Sequence, residues 1–369
     1  MKRLFHLKRV WLLLLAPLAL ILTIAASYSP GFAEWYAVTL YPWLSRAVNF
    51  VSSLLPISIA EVALVCLIPL AILYLFFSIR RIVRHKGQRR YHVCKTILNP
   101  LCAACVLYAS FALLCGMNYY RYPFSQVCGL TVQDSPVEQL QGLCTELAQE
   151  ASSLREQVQE DDSGVMASSF ADSFQAAREA QTAYGKLADR YPTLPAGYGQ
   201  PKPVTASRLM SYGDITGIYI PFTCEANVNV DVPDYSIPAT MCHELTHLRG
   251  YMREDEANFI AYLACLGSDS PDFRYSGVML ALVHAQNALY AEDRDAWQET
   301  VSLLSDGVQR DLAANNAYWD QFEGPIAQNS SQVNDSYLKA NQQEDGVKSY
   351  GKMVDLLLAD YRQRHGIEE

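Results

Sequence analysis

Three apolar runs near the start of the chain restrict its fold more than any other feature. They cover residues of about 10–27, 57–79 and 96–116. Each approaches the roughly 20 residues that a bilayer core requires. A backbone in lipid must satisfy its own hydrogen bonds, so each run is expected as a helix. Pro69 lies inside the second run, a position that membrane helices tolerate. The first run, VWLLLLAPLALILTIAA, follows Lys2, Arg3, Lys8 and Arg9, the order of a signal peptide. Two further runs come after it, and its end lacks a small-x-small cleavage site. An uncleaved helix is therefore the better reading.

Charge divides the chain at the same place. The net charge of −9 is the sum of a basic part, residues 1–116 at +10, and an acidic part, residues 117–369 at −19. The segment 80–95, RRIVRHKGQRRYHVCK, carries seven Lys/Arg, and four more precede the first run. The stretch 28–56 carries only Arg46. Positive residues stay on the cytoplasmic side, which puts the N-terminus and the 80–95 loop in the cytoplasm. Three crossings then leave the acidic part extracytoplasmic. No basic patch occurs outside the anchor, which argues against nucleic acid as a partner. A transporter is a weak reading, because three spans are few and Glu61, the only acid inside a span, lies near its outer end.

Three regions are expected. Residues 1–118 form the membrane region, with an amphipathic segment at 35–55. Residues 119–200 form a helical subdomain, and 201–369 a domain of helices around a small sheet. In the 35–55 segment Leu40, Trp43, Leu44, Ala47, Val48, Val51, Leu54 and Leu55 fall at helical spacing, with Ser45, Arg46, Asn49 and Ser52 opposite. Such a helix lies on the outer bilayer surface or packs beneath the exterior domain. Residues 136–190 are helical in pattern. The run 215–222, ITGIYIPF, reads as a strand, with Pro221 marking an edge or an end. Residues 227–232, NVNVDV, alternate polar and apolar like a half-buried strand. Two or three helices fill 272–320, residues 324–347 are partly loop-like, and 349–364 reads as a closing amphipathic helix. The ten cysteines match no metal spacing, and Cys128 with Cys144 is one conceivable disulfide.

The chemistry is concentrated in His243-Glu244-Leu245-Thr246-His247. Two histidines four apart on a helix share one face and can ligate one zinc ion, while the acid between them stands beside the ion. The helix is expected from a cap at Ser236 to about Leu248, with Gly250 as its stop. Zinc needs a third protein ligand. Glu254, Asp255 and Glu256 compete at the start of the next helix, and only one can face a given point. Glu254 is favoured because Asn258, four residues on, can hydrogen-bond a ligating histidine, and Glu256 comes next. Glu244 would take a proton from metal-bound water and return it to the leaving amine. Tyr219, Tyr251, Arg253 and His284 are candidates for stabilising the oxyanion. Glu225, Asn227 and Asn229 either line the cleft or serve a polar turn.

These residues resemble the zinc peptidases of the HExxH…E class, the gluzincins. Their second helix often supplies the glutamate as ExxA(D/N), matched here by Glu254-Asp255-Glu256-Ala257-Asn258. The resemblance implies a zincin-like α+β domain, one Zn2+ held by His243, His247 and Glu254, Glu244 as catalytic base, and a peptide or protein substrate. The seven-residue step from His247 to Glu254 is shorter than usual and demands a tight turn at 249–252. The chain also resembles an uncharacterised bacterial membrane-protein family, domain of unknown function 3810. The likeness runs through 217–229, GIYIPFTCEANVN, then 243–265, and the late stretches 337–341 and 349–351. The expected function is therefore a membrane-anchored zinc peptidase acting at the outer face of the lipid bilayer. The competing reading is an exterior domain that keeps its metal for structure or binding without cleavage. Glu244 separates the two, because a structural site has no need of an acid between its histidines.

Overall fold

A computed structural model of the chain describes residues 8–341, 343, 346 and 352–367. Its first part is built from long apolar helices. A 3-10 stretch, Lys8–Leu14, leads into α1 (Leu15–Tyr28). Two shorter helices follow, α2 (Pro30–Thr39) and α3 (Tyr41–Ser52), then α4 (Ile59–Arg84) and α5 (Arg89–Leu114). The stretches Lys8–Tyr28, Ile59–Arg84 and Lys86–Tyr120 are long and apolar enough to cross a membrane. Small side chains, Ala19 on α1 and Ala109 and Ala112 on α5, let those two helices approach closely. Helix α4 buries none of its residues. Its first turn is tied instead to the acidic domain. The main-chain N–H groups of Ile59 and Ala60 donate to Glu225 at 3.0 and 2.8 Å, and Glu61 accepts from Thr205 and Ala206 at 3.1 and 2.8 Å.

Helix α3 packs by its polar stripe. Tyr41, Pro42, Ser45, Asn49 and Ser52 are buried against the acidic domain, while Trp43 is 78% exposed, Phe50 69% and Leu54 67%. Ser45 pairs with the Tyr198 hydroxyl at 2.8 Å. Asn49 donates to the Cys224 carbonyl at 2.8 Å and accepts from Gly199 N–H at 2.7 Å. The two expected placements of this segment are thus compatible. Its polar face lies beneath the domain, and its apolar face points away.

The rest of the chain is mainly helical. Helix α6 (Phe124–Cys128) precedes α7 (Val137–Arg155), the short hairpin β1 (Gln159–Glu160) and β2 (Met166–Ala167), and α8 (Ser173–Arg190). Strand β3 (Lys202–Pro203), helix α9 (Ser207–Ser211) and strands β4 (Gly217–Ile220) and β5 (Glu225–Val228) come next. Then follow α10 (Ile237–Leu248), α11 (Glu254–Leu266), α12 (Pro271–Glu292), α13 (Arg294–Val301), α14 (Asp306–Asp320), α15 (Pro325–Ala340) and α16 (Met353–His365).

Helix α12 is apolar around much of its girth, with Phe273, Val278, Met279, Leu282, Ala285 and Leu289 buried. It packs between α7 and α11 as the centre of the domain. Gly277 permits the crossing with α11, since a Cβ there would lie 2.5 Å from that of Cys265. One continuous core joins these helices to residues of α1, α2 and the end of α5.

The three-stranded sheet has the order β3-β5-β4, with β3 parallel and β4 antiparallel to β5. Both strands around the expected β region are shorter than their sequence patterns. Pro221 ends β4, which is indeed an edge strand. β5 ends at Val228; the Asn229 N–H still donates to the Thr216 carbonyl, while its side-chain amide turns to Ser211 and the Ile215 carbonyl. Residues 325–340, expected as partly loop, form α15. The closing helix is described from Met353, and residues 349–351 lie outside the described part. Cys128 and Cys144 are both free.

Candidate metal centre

The HExxH segment lies on α10, and its start differs from expectation. Ser236 does not cap it. A 3-10 turn, Asp234–Ser236, runs straight into the helix, and the Ser236 hydroxyl donates to the Pro233 carbonyl at 2.8 Å. Ser276 of α12 supplies the missing acceptor to Ala239 N–H at 2.9 Å. The end follows the sequence. Gly250 takes φ +88, a left-handed value that glycine adopts without strain, and an added Cβ would meet the Tyr41 ring at 3.0 Å. That turn is short enough to bring α11 back across α10.

The crossing assembles three ligand atoms. His243 Nε2 lies 3.0 Å from His247 Nε2, and Glu254 Oε2 lies 3.1 and 3.5 Å from the two. Among the described residues these three form the one group of histidine, cysteine and carboxylate side chains close enough to hold a metal ion. Tetrahedral zinc with bonds of about 2.0–2.1 Å separates its ligand atoms by about 3.3 Å, so the triangle has the right size.

Hydrogen bonding fixes what these atoms carry. His247 Nδ1 faces the Tyr251 carbonyl at 2.8 Å, and His243 Nδ1 faces Asn258 Oδ1 at 2.7 Å. Both partners are acceptors, so both Nδ1 atoms hold the proton. In the neutral rings both Nε2 atoms are then bare. Two lone pairs and a carboxylate oxygen therefore converge with no donor among them. Such a cluster requires a cation at its centre. In the metal-free protein a proton takes that place. Burial alone would lower the His247 imidazole, but Glu254 beside it holds it up at about 9. The same pair overrides the burial of Glu254 and keeps its carboxyl well below the usual range.

Glu244 is buried beside this cluster and makes no polar contact through Oε2 among the described residues. Burial pushes its carboxyl up to about 7, against the pull of the two histidines. Strand β4 passes directly over it. A Cβ on Gly217 would sit 2.4 Å from Glu244 Oε1 and 2.8 Å from Thr240 Cγ2, so only glycine lets the strand come this near. The Thr216 carbonyl accepts from Asn229 N–H at 2.8 Å, and Ile218 pairs with Asn227. By antiparallel alternation the main-chain groups of Gly217 and Tyr219 point to the free edge, beside the acid.

The neighbouring acids divide clearly. Glu256 accepts from Phe124 N–H at 2.6 Å and from Arg253 at 2.7 Å, which leaves Glu254 alone on the histidines. Arg253 is thereby turned away from them. Asn258, holding His243, presents its amide 3.5 Å from His284 Nε2. Burial pushes the His284 imidazole down to about 4, so this neighbour is neutral. The Tyr219 ring lies tilted against that of His247, 6.4 Å between centroids. Its hydroxyl donates to the Leu114 carbonyl at 3.1 Å and lies 3.3 Å from that of Tyr41. The Tyr251 ring is buried elsewhere, under Arg121 and bonded to Thr193, and only its carbonyl serves the site.

The three residues expected either in the cleft or in a polar turn all make contacts within the fold. Glu225 holds the start of α4 and is paired with Lys202, and Asn229 builds the turn after β5. Asn227 donates to the Ile218 and Glu225 carbonyls within the sheet.

The sequence did not point to several residues that frame the site. Gly217 is one. Tyr41 is another, donating to the Leu248 carbonyl at 3.1 Å. Arg121 makes a two-pronged pair with Glu34 at 2.8 and 3.0 Å, and donates to the Gly250 carbonyl at 3.3 Å. It thus fixes the turn that carries the Tyr251 carbonyl. Tyr337 accepts from Tyr119 at 3.3 Å and lies 3.5 Å from Cys115 Sγ. Burial, then Cys115, raises its phenol.

No curated protein and no solved structure matches this chain. A family model described as "Protein of unknown function (DUF3810)" matches residues 36–358, a span that includes every residue of the cluster, and the chain belongs to that family.

Proposed function

We propose that this protein is a membrane-anchored, zinc-dependent peptidase that hydrolyses peptide bonds at the outer face of the bacterial cell membrane. The observation that carries this reading is the convergence of three bare acceptor atoms beside a buried carboxylate with a free oxygen. His243, His247 and Glu254 would hold the ion, in the gluzincin manner, with Asn258 and the Tyr251 carbonyl setting both rings. Zinc, when bound there, supplies a Lewis acid that polarises a carbonyl and acidifies water.

The chain's own groups do the rest. Glu244, held near neutrality by burial, accepts the proton of the attacking water and delivers it to the leaving amine. The free edge of β4 holds an extended peptide by main-chain pairing, directly above that carboxylate. Of the expected oxyanion donors, His284 flanks the histidines, whereas the Tyr219 hydroxyl is committed to the Leu114 carbonyl.

Three helices long and apolar enough to span, with the positive charge on the N-terminus and the 80–95 loop, support a multi-pass protein with its acidic domain outside. The apolar stripe of α3 would rest in the outer interface. The test is a pair of variants of the full chain. His243→Ala should lose the metal. Glu244→Gln should keep it and lose cleavage of a peptide library. Zinc binding with no cleavage by the wild-type protein would favour the non-catalytic domain instead.

A further inference from the structure

Strand β4 runs from Glu244 to the ends of two apolar helices. Its Gly217 end lies over Glu244. At its other end Ile220 pairs with Glu225, whose carboxylate binds the first main-chain N–H groups of α4. Between them, the Tyr219 hydroxyl donates to the carbonyl of Leu114, the last residue of α5. Both contacts fall on the ends of apolar spans that the charge pattern places at the outer bilayer surface. The turn after β4 exposes Phe222, and α3, which presents Trp43 and Phe50, is bonded through Asn49 to the Cys224 carbonyl of that turn.

An extended chain paired along the free edge of β4 would therefore have one end at the acid and the other at the bilayer. Three strand steps separate Gly217 from Ile220, about 10 Å at roughly 3.3 Å per residue. We infer that the substrate is a polypeptide tethered in the same membrane and cut about three to six residues from its surface. This rests on the peptidase reading and narrows its substrate class. A free peptide can reach the same edge, but it must do so from bulk solution. A tethered segment is present at an effective concentration on the order of 1 mM, about 100-fold above a probe at about 10 μM.

The experiment uses the full wild-type chain in liposomes, with Glu244→Gln as control. Co-reconstituted reporters carry one transmembrane helix followed by a randomised stretch of about 25 residues, long enough to reach well past the site. The same stretch is supplied in parallel as free peptide at about 10 μM, and cut positions are mapped by mass spectrometry. The expected result is cuts clustered within about six residues of the span, at a rate about 100-fold above that of the free pool. Equal rates on the two pools, or cuts spread evenly along the tethered stretch, would overturn the inference and leave the peptidase reading standing. No wild-type cleavage of either pool beyond the Glu244→Gln background would remove the peptidase reading and this inference with it.

Discussion

Gly217→Ala is the sharpest perturbation of the site that touches no ligand. The new Cβ would lie 2.4 Å from Glu244 Oε1 and 2.8 Å from both Glu244 Cγ and Thr240 Cγ2, where ordinary contact begins near 3.4 Å. The carboxylate or the strand must therefore move by about 1 Å. Overpacking of this kind costs about 1–3 kcal/mol of stability. A misplacement of about 1 Å at a reacting centre costs about 100-fold in rate. The nearest atoms to the added Cβ belong to Glu244 and Thr240 and to no metal ligand, so zinc content should be unchanged. Three measurements on the purified protein separate these effects: metal per chain, urea midpoint and peptide turnover. A double-mutant cycle with Glu244→Ala adds a fourth, since removing that side chain should recover part of the stability loss and leave the Thr240 contact. Full activity and wild-type stability in Gly217→Ala would refute the close passage of β4 over Glu244. Loss of zinc would refute the confinement of the clash to Glu244 and Thr240.

Three further outcomes follow from the same geometry. In the metal-free protein His247 is held at about 9, above its ordinary 6.5. Its stabilisation is complete below the lower value and lost as pH rises through the higher one, on the order of 3 kcal/mol. Urea titrations at the two ends of that window should show this loss after chelation and little of it with zinc, which binds the bare imidazole; equal pH dependence in both forms would contradict the role given to His247. Arg121→Met leaves Glu34 without its partner beneath the domain and should cost about 3–5 kcal/mol, read as a fall in Tm; an unchanged Tm would mean that this pair does not fasten the turn at Gly250. With Trp11 and Trp35, the other two exposed tryptophans of the membrane region, changed to Phe, Trp43, 78% exposed on α3, should still be quenched by brominated lipid in liposomes; emission unaffected by bromination would place α3 away from the interface.

Helical periodicity made the centre of the site legible, because it puts His243 and His247 on one face whatever surrounds them. Glu254 was separable from Glu256 by the residue four places on, and Asn258 does bond His243. Long-range partners were not legible. Glu225 looks like a cleft acid until its contact with Ile59 and Ala60, some 165 residues earlier, is seen. Alternation in 227–232 marked a strand but could not show that the Asn229 side chain would be taken up by Ser211 and the Ile215 carbonyl. The sequence also defined the two stripes of α3 without revealing that the polar one would be buried. Helix α15 was hidden by its Ser, Asn and Gln content, since Leu338 alone is buried along it. Gly217 carried no signal, because its requirement comes from a helix packed underneath, which strand patterning does not encode.

The central claim is that His243, His247 and Glu254 hold one zinc ion. Metal analysis of the full-length protein, purified in detergent without chelators, tests it most directly. The account predicts close to one zinc per chain in the wild type and near none in His243→Ala, with both proteins folded. A folded wild type that carries no zinc, and takes up none at micromolar free metal, would contradict it.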